Sequence, residues 1–161
     1  MTEQEYNKCV EIHADNVYRF ILKNIKDEDK ASDIVQDAYE KMWRNRSGID
    51  NDKSKSYLFT AAYHVMIDLI RKNKRQSSIE EVSYYEPVGD FGWSDLGEIL
   101  NKAVDLLPEI QKTVITLRDF EGYSYEEIGE ITGLSENQVK VYIYRARLFL
   151  KKYIGKLEYV L

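Results

Sequence analysis

The densest run of residues suited to recognition chemistry lies at 123–152, YSYEEIGEITGLSENQVKVYIYRARLFLKK. If Ser135 caps a helix, Val139, Ile143, Ala146 and Leu150 fall on one stripe at ~100° per residue, with Asn137, Lys140, Val141, Tyr144, Arg145 and Lys151 opposite or beside it. Amide and guanidinium groups hydrogen-bond base edges and amines neutralise phosphates, so that face has the chemistry of a duplex-DNA reader. The residues before it supply what such a helix needs in order to be held. Ser124 can cap a short helix turning Ile128 and Ile131 inward, Gly133 offers a turn position without a Cβ, and Leu134 can fill the angle. Cap, glycine, plug and charge therefore follow the order of a helix-turn-helix. A helical hairpin with a solvated basic face would need the stripe but not the turn chemistry.

Catalysis finds no comparable set. Glu126 and Glu127 have no partner nucleophile, and neither a glycine-rich phosphate loop nor a Ser-His-Asp arrangement is identifiable. Cys9 and His13 stand four apart, a metal-compatible spacing, but two ligands do not make a zinc site, and no cofactor is expected. Charge is more informative once divided. The net charge of −5 hides seven cations against three acids over 46–76, one against eight over 77–110, and six against two over 136–161. Two basic segments separated by an acidic one fit two nucleic-acid contacts and at least one different partner, because phosphate neutralisation needs clustered cations. The polar start MTEQEYNKC and the lack of an eighteen-residue apolar run predict neither signal peptide nor membrane span, hence a cytoplasmic protein whose single Cys9 stays reduced.

The positioning elements read as all-α, from a 43% hydrophobic and 32% charged composition with only two prolines and eight glycines. Helices are predicted from Glu3 to about Lys26, from Ala31 to Asn45, and, after a loop at 46–56, from Ser56 to Lys74. In the third, Leu58, Ala62, Val65 and Leu69 make the expected buried stripe, so Thr60, Tyr63, His64, Ile67 and Arg71 should point away from it. Helical periodicity lapses at 77–94, an acidic linker, and returns at Leu96–Leu107. Pro108 is then expected as the first residue of a helix ended by Gly122. The result is two small helical domains, 1–76 and 95–161.

With these elements in place, LPEIQKTVITLRDFEGYSYEEIGEITGLSENQVKVYIYRARLFLKK at 107–152 resembles region 4 of extracytoplasmic-function sigma factors of the sigma-70 family. SDIVQDAYEKMWRN at 32–45 is similar to the region 2 segment that docks on the polymerase beta-prime clamp helices, and YLFTAAYHVMIDLIRKNKR at 57–75 to the promoter-melting helix. The resemblance implies an RNA polymerase sigma factor, not itself an enzyme, with core polymerase, promoter DNA and an anti-sigma factor as partners. It implies that Asp33, Gln36, Asp37 and Lys41 meet the polymerase. Tyr57, Thr60, Tyr63, His64, Ile67, Arg71, Lys72, Lys74 and Arg75 would serve the minus-ten element, where unstacked bases need pockets, aromatic platforms and a cationic end. Asn137, Gln138, Lys140, Tyr144 and Arg145 would face the minus-thirty-five groove, with Arg147 and Lys151 on phosphates. Leu107, Pro108, Val114 and Leu117 would pack or meet the beta flap. The chain departs from the common pattern at Tyr57, where tryptophan is frequent, at Thr60, where arginine is, and at His64, where asparagine is. Two other readings fit parts of the pattern: a free-standing helix-turn-helix regulator binding a palindrome as a dimer, and a sigma mimic that only sequesters an anti-sigma protein.

Overall fold

A computed structural model describes residues 1–76 and 96–160, and these are helical without a strand. The expected linker at 77–94 lies outside the described residues. The first half comprises α1 (Glu3–Ile25), α2 (Glu28–Arg44) and α3 (Ser54–Gln76), with two short 3₁₀ turns at Arg46–Gly48 and Asn51–Lys53. Thr2 and Glu5 close a capping box on α1, and Lys26, at φ 60°, ends it. Asp27 then accepts a hydrogen bond from the Lys30 amide. The run Asp27-Glu28-Asp29 caps α2 and sets its acids against the positive end of the helix dipole.

The second half comprises α4 (Leu96–Asp105), α5 (Glu109–Ile115), α6 (Tyr125–Thr132) and α7 (Glu136–Val160). Pro108 does not open α5 as its first helical residue. It sits one place earlier, at the cap, with an extended ψ of 148°. From Thr116 to Phe120 the helix widens into a π turn, in which the Glu121 amide donates to the Thr116 carbonyl at 3.1 Å. Gly122, at φ 74°, stops it. Ser124 and Glu127 form a second capping box, Gly133 ends α6 at φ 79°, and Ser135 accepts from the Gln138 amide to start α7. Gly129 carries a further constraint, since a Cβ there would lie 2.8 Å from the Leu134 carbonyl oxygen.

The halves share one continuous core. Phe20 packs on Phe59 at 5.7 Å between ring centroids, and Phe59 meets Tyr123 edge-on at 5.1 Å. Because α1 and α2 cover one side of α3 and α6 covers another, the buried set on α3 is wider than one stripe: Leu58, Phe59, Ala61, Ala62, Tyr63 and Met66. Val65 and Leu69 are only half-buried, and Tyr63 turns inward rather than away.

Candidate nucleic-acid interface

The recognition face on α7 is open. Asn137, Gln138, Lys140, Tyr144, Arg145, Arg147 and Lys151 are all exposed, while Val139, Ile143 and Ala146 are buried behind them. Three of the seven have local duties. Gln138 accepts the Ser135 amide through Oε1 at 2.9 Å, completing a reciprocal cap, so one of its acceptor sites is spent and its amide nitrogen keeps both donors for a base. Lys140 pairs with Glu136 at 3.6 Å, one turn back. Arg147 donates to both carboxylate oxygens of Asp119, at 2.7 and 3.4 Å, which raises its pKa further and ties α7 to the end of α5. Arg147 therefore holds the helix in place as much as it offers charge. Arg145, Asn137 and Lys151 make no such contact among the described residues.

The α3 face is different. Thr60 donates back to the Ser56 carbonyl at 2.7 Å, and the Tyr57 hydroxyl accepts from Asn45 at 2.9 Å. Tyr63 is 7% exposed, and burial pushes its phenol pKa up. His64, Arg71, Lys72, Lys74 and Arg75 are exposed, with Ile67 half-buried. A cleft of about 440 Å³ brings Tyr63, His64, Ile67, Asp68 and Arg71 together with Lys41 of α2 and Thr132 of α6. Four expected minus-ten residues thus line one concavity, roofed in part by the other half of the chain. Lys41 lies on its rim, beside the α3 set as well as on the α2 surface. Asp33, Gln36 and Asp37 are exposed along α2, and the α2 residues Ile34, Val35, Ala38 and Met42 are buried beneath.

Sequence patterns missed the contacts across the halves, because their partners are remote in the chain and belong to no local period. Arg19 donates to both oxygens of Glu121 at 3.1 and 3.3 Å, Lys26 pairs with Asp105 at 3.2 Å, and Lys74 with Glu109 at 3.4 Å. Asn24 donates to Thr116 at 3.3 Å and accepts from Thr113 at 3.4 Å. The Lys23 ammonium lies 3.2 Å from the centre of the Phe120 ring, and the Lys55 ammonium 4.6 Å from that of Tyr123. In these ion pairs the first half gives the cations and the second half the carboxylates. Of the expected flap residues, Leu107, Val114 and Leu117 are buried and Pro108 lies on a second cleft with Glu109 and Thr113.

A helix-turn-helix with an open basic face, behind a second helical unit bearing an aromatic and cationic cleft, defines a two-part DNA-binding protein. Comparison with known proteins sharpens that class. Residues 9–76 match the family model for sigma-70 region 2, and residues 97–150 that for sigma-70 region 4. RNA polymerase sigma factor SigV of Bacillus subtilis is 32% identical over 151 residues, covering 92% of this chain and 90% of that protein. ECF RNA polymerase sigma factor SigM of the same species is 27% identical over 154 residues, covering 90% and 92%. Among solved structures, the sigma factor RpoE from Bartonella quintana, in complex with the anti-sigma factor NepR, superposes with a TM-score of 0.75 at 26% identity, covering 94% of this chain and 98% of that one. The chain belongs to the sigma-70 family and is an RNA polymerase sigma factor of the extracytoplasmic-function group.

Proposed function

We propose that this sigma factor contacts core polymerase through Asp33, Gln36 and Asp37, opens the minus-ten element on α3, and reads the minus-thirty-five element with α7. The open face of α7 behind its cap and glycine turn carries the reading most directly, because an amide and unpaired cations are presented there on a helix whose other side is core. The acidic and amide surface of α2 suits a basic partner helix. The cleft around Tyr63, His64 and Arg71, in which Lys41 and Arg71 outnumber Asp68, suits an unstacked base and its phosphate. The relative RpoE is held by an anti-sigma protein, and a protein partner of that kind fits this chain too, as does work in the cytoplasm. No described helix is long and apolar enough to cross a membrane.

This reading has a geometric consequence. The two elements are about 25 base pairs apart by their names, roughly 85 Å of duplex at ~3.4 Å per base pair. With α6 seated on α3, the two reading faces cannot reach both elements, so the halves separate on the promoter. The test is run-off transcription by core polymerase with and without the protein, on DNA upstream of its own gene. Specific initiation is expected, and alanine at Asp37 or Arg145 should reduce it at least tenfold. A chain that ignores core polymerase and binds a palindrome as a dimer would be a free-standing regulator instead.

A further inference from the structure

Six large hydrophobic side chains are exposed among the described residues, and four of them, Val141, Tyr144, Leu148 and Phe149, lie within nine residues of α7. Such clustering asks for a partner surface. At 3.6 residues per turn, Asn137, Val141, Tyr144 and Leu148 fall within about 60° of one another, diametrically opposite Val139, Ile143, Ala146 and Leu150. Lys140 and Lys151 flank this line on one side, and Arg145 and Lys152 on the other. The exposed face is therefore an apolar midline between two cationic margins.

A major groove about 12 Å wide has the matching cross-section: base edges on its floor, phosphates on both walls. A helix lying in it points its margins at the walls and its midline at the floor. On that floor the only apolar feature is the 5-methyl group of thymine. Asn137 stands four residues before Val141, about 6 Å along the helix axis, or between one and two base-pair steps. An asparagine amide suits the N6 and N7 atoms of adenine, so the two midline positions together suit an adenine and a thymine methyl in close succession.

We propose that Val141, 44% exposed at the centre of this midline, is a specificity-determining residue that reads a thymine 5-methyl group in the minus-thirty-five duplex, beside Tyr144. The proposal rests on the sigma reading and names what that face selects. It separates positions that carry affinity, the marginal cations, from a position that carries sequence preference.

Deoxyuridine removes the methyl group and leaves every hydrogen-bonding group in place. Holoenzyme reconstituted from core polymerase and the full chain is to be bound to an initiating promoter in which each thymine of the minus-thirty-five element is replaced in turn by deoxyuridine. Wild-type holoenzyme should lose on the order of 4-fold in affinity at one or two thymines, the loss expected for one buried methyl group. Val141→Ala should bind the thymine promoter more weakly and no longer distinguish thymine from deoxyuridine there, while Arg145→Ala binds more weakly and still distinguishes them. Alanine at an exposed helical position preserves the fold, which an unchanged melting temperature checks. Wild-type indifference to every substitution, or discrimination that survives Val141→Ala, overturns the proposal and assigns the stripe to a protein partner. Wild-type protein that initiates on no promoter overturns the sigma reading itself.

Discussion

Helices α3 and α7 are alike on paper, 23 and 25 residues long, each bearing apolar residues on one side and cations on the other. Their surroundings differ. α7 shows its cationic margins and the apolar line between them to solvent, whereas α3 lies under α6, with Tyr63 buried and Lys74 paired to Glu109. The difference teaches that an amphipathic pattern says which residues avoid water but not how many neighbours do the covering. One cation of α3, Lys74, is paired with Glu109 of α5, while Glu121 and Asp105 pair with Arg19 and Lys26 of the α1 region.

The sharpest way to break this comparison is to remove the pin between the two layers. Tyr123 is buried against Phe59, and Tyr123→Ala should cost ~3–5 kcal/mol in urea unfolding, as large aromatic truncations do. Tyr123→Phe should be neutral or stabilising by up to about 1 kcal/mol, because the buried hydroxyl has no hydrogen-bond partner among the described residues. A loss below about 1 kcal/mol for the alanine variant would mean that α6 does not cover α3 in solution.

Gly129 tests the other side of the comparison, the open face. A Cβ 2.8 Å from the Leu134 carbonyl must push backbone, so Gly129→Ala should destabilise the second half by ~1–3 kcal/mol and weaken duplex binding by α7. Thermal unfolding and binding to a minus-thirty-five duplex would read both. Unchanged values would show that the turn relaxes freely.

A third test is a charge exchange across the halves. Arg19→Glu sets a second carboxylate beside Glu121, whose side chain is only 4% exposed, and should weaken the contact by ~1–3 kcal/mol, more than a surface pair contributes. Adding Glu121→Arg should restore it. Cys9 is the chain's single cysteine and is buried, with its thiol pKa raised by that burial, so labels placed on cysteines introduced at Glu40 and Lys152 would report the separation. Lengthening in the single variant and recovery in the double is the expected result. Equal distances in all three would remove Arg19–Glu121 from the contact.

Much of this architecture is legible in the sequence. Ser124, Gly133 and Ser135 announce the helix-turn-helix because caps and positive-φ glycines act within a turn of the chain. Asp33, Gln36 and Asp37 came from the family resemblance, and their exposure follows from the helical spacing of the buried Ile34, Val35, Ala38 and Met42. Tyr63, Gln138 and Arg147 were harder. Tyr63 is buried by a helix some sixty residues onward, Gln138 is drawn into a cap, and Arg147 finds Asp119 across the π turn. The Arg19–Glu121 pair joins residues 102 positions apart, which no periodicity can signal.

Salt gives the smallest expected change between the halves and the clearest separation of the two faces. From about 0.05 to 0.5 M, the screening length falls from about 14 to about 4 Å. The contact between the halves mixes ion pairs whose carboxylates are largely shielded with the Phe20, Phe59 and Tyr123 rings, whose packing salt does not screen, so it should weaken by less than about 1 kcal/mol. Duplex binding by α7 has no such apolar reserve at its margins and should fall steeply, with Arg145→Ala and Lys151→Ala each lowering the slope of log affinity against log salt by about 1. Binding isotherms and the inter-label distance, followed over the same salt series, should therefore diverge. If the halves part as steeply as DNA is released, their contact is held by charge alone, and the aromatic pin at Tyr123 is not what keeps α3 covered.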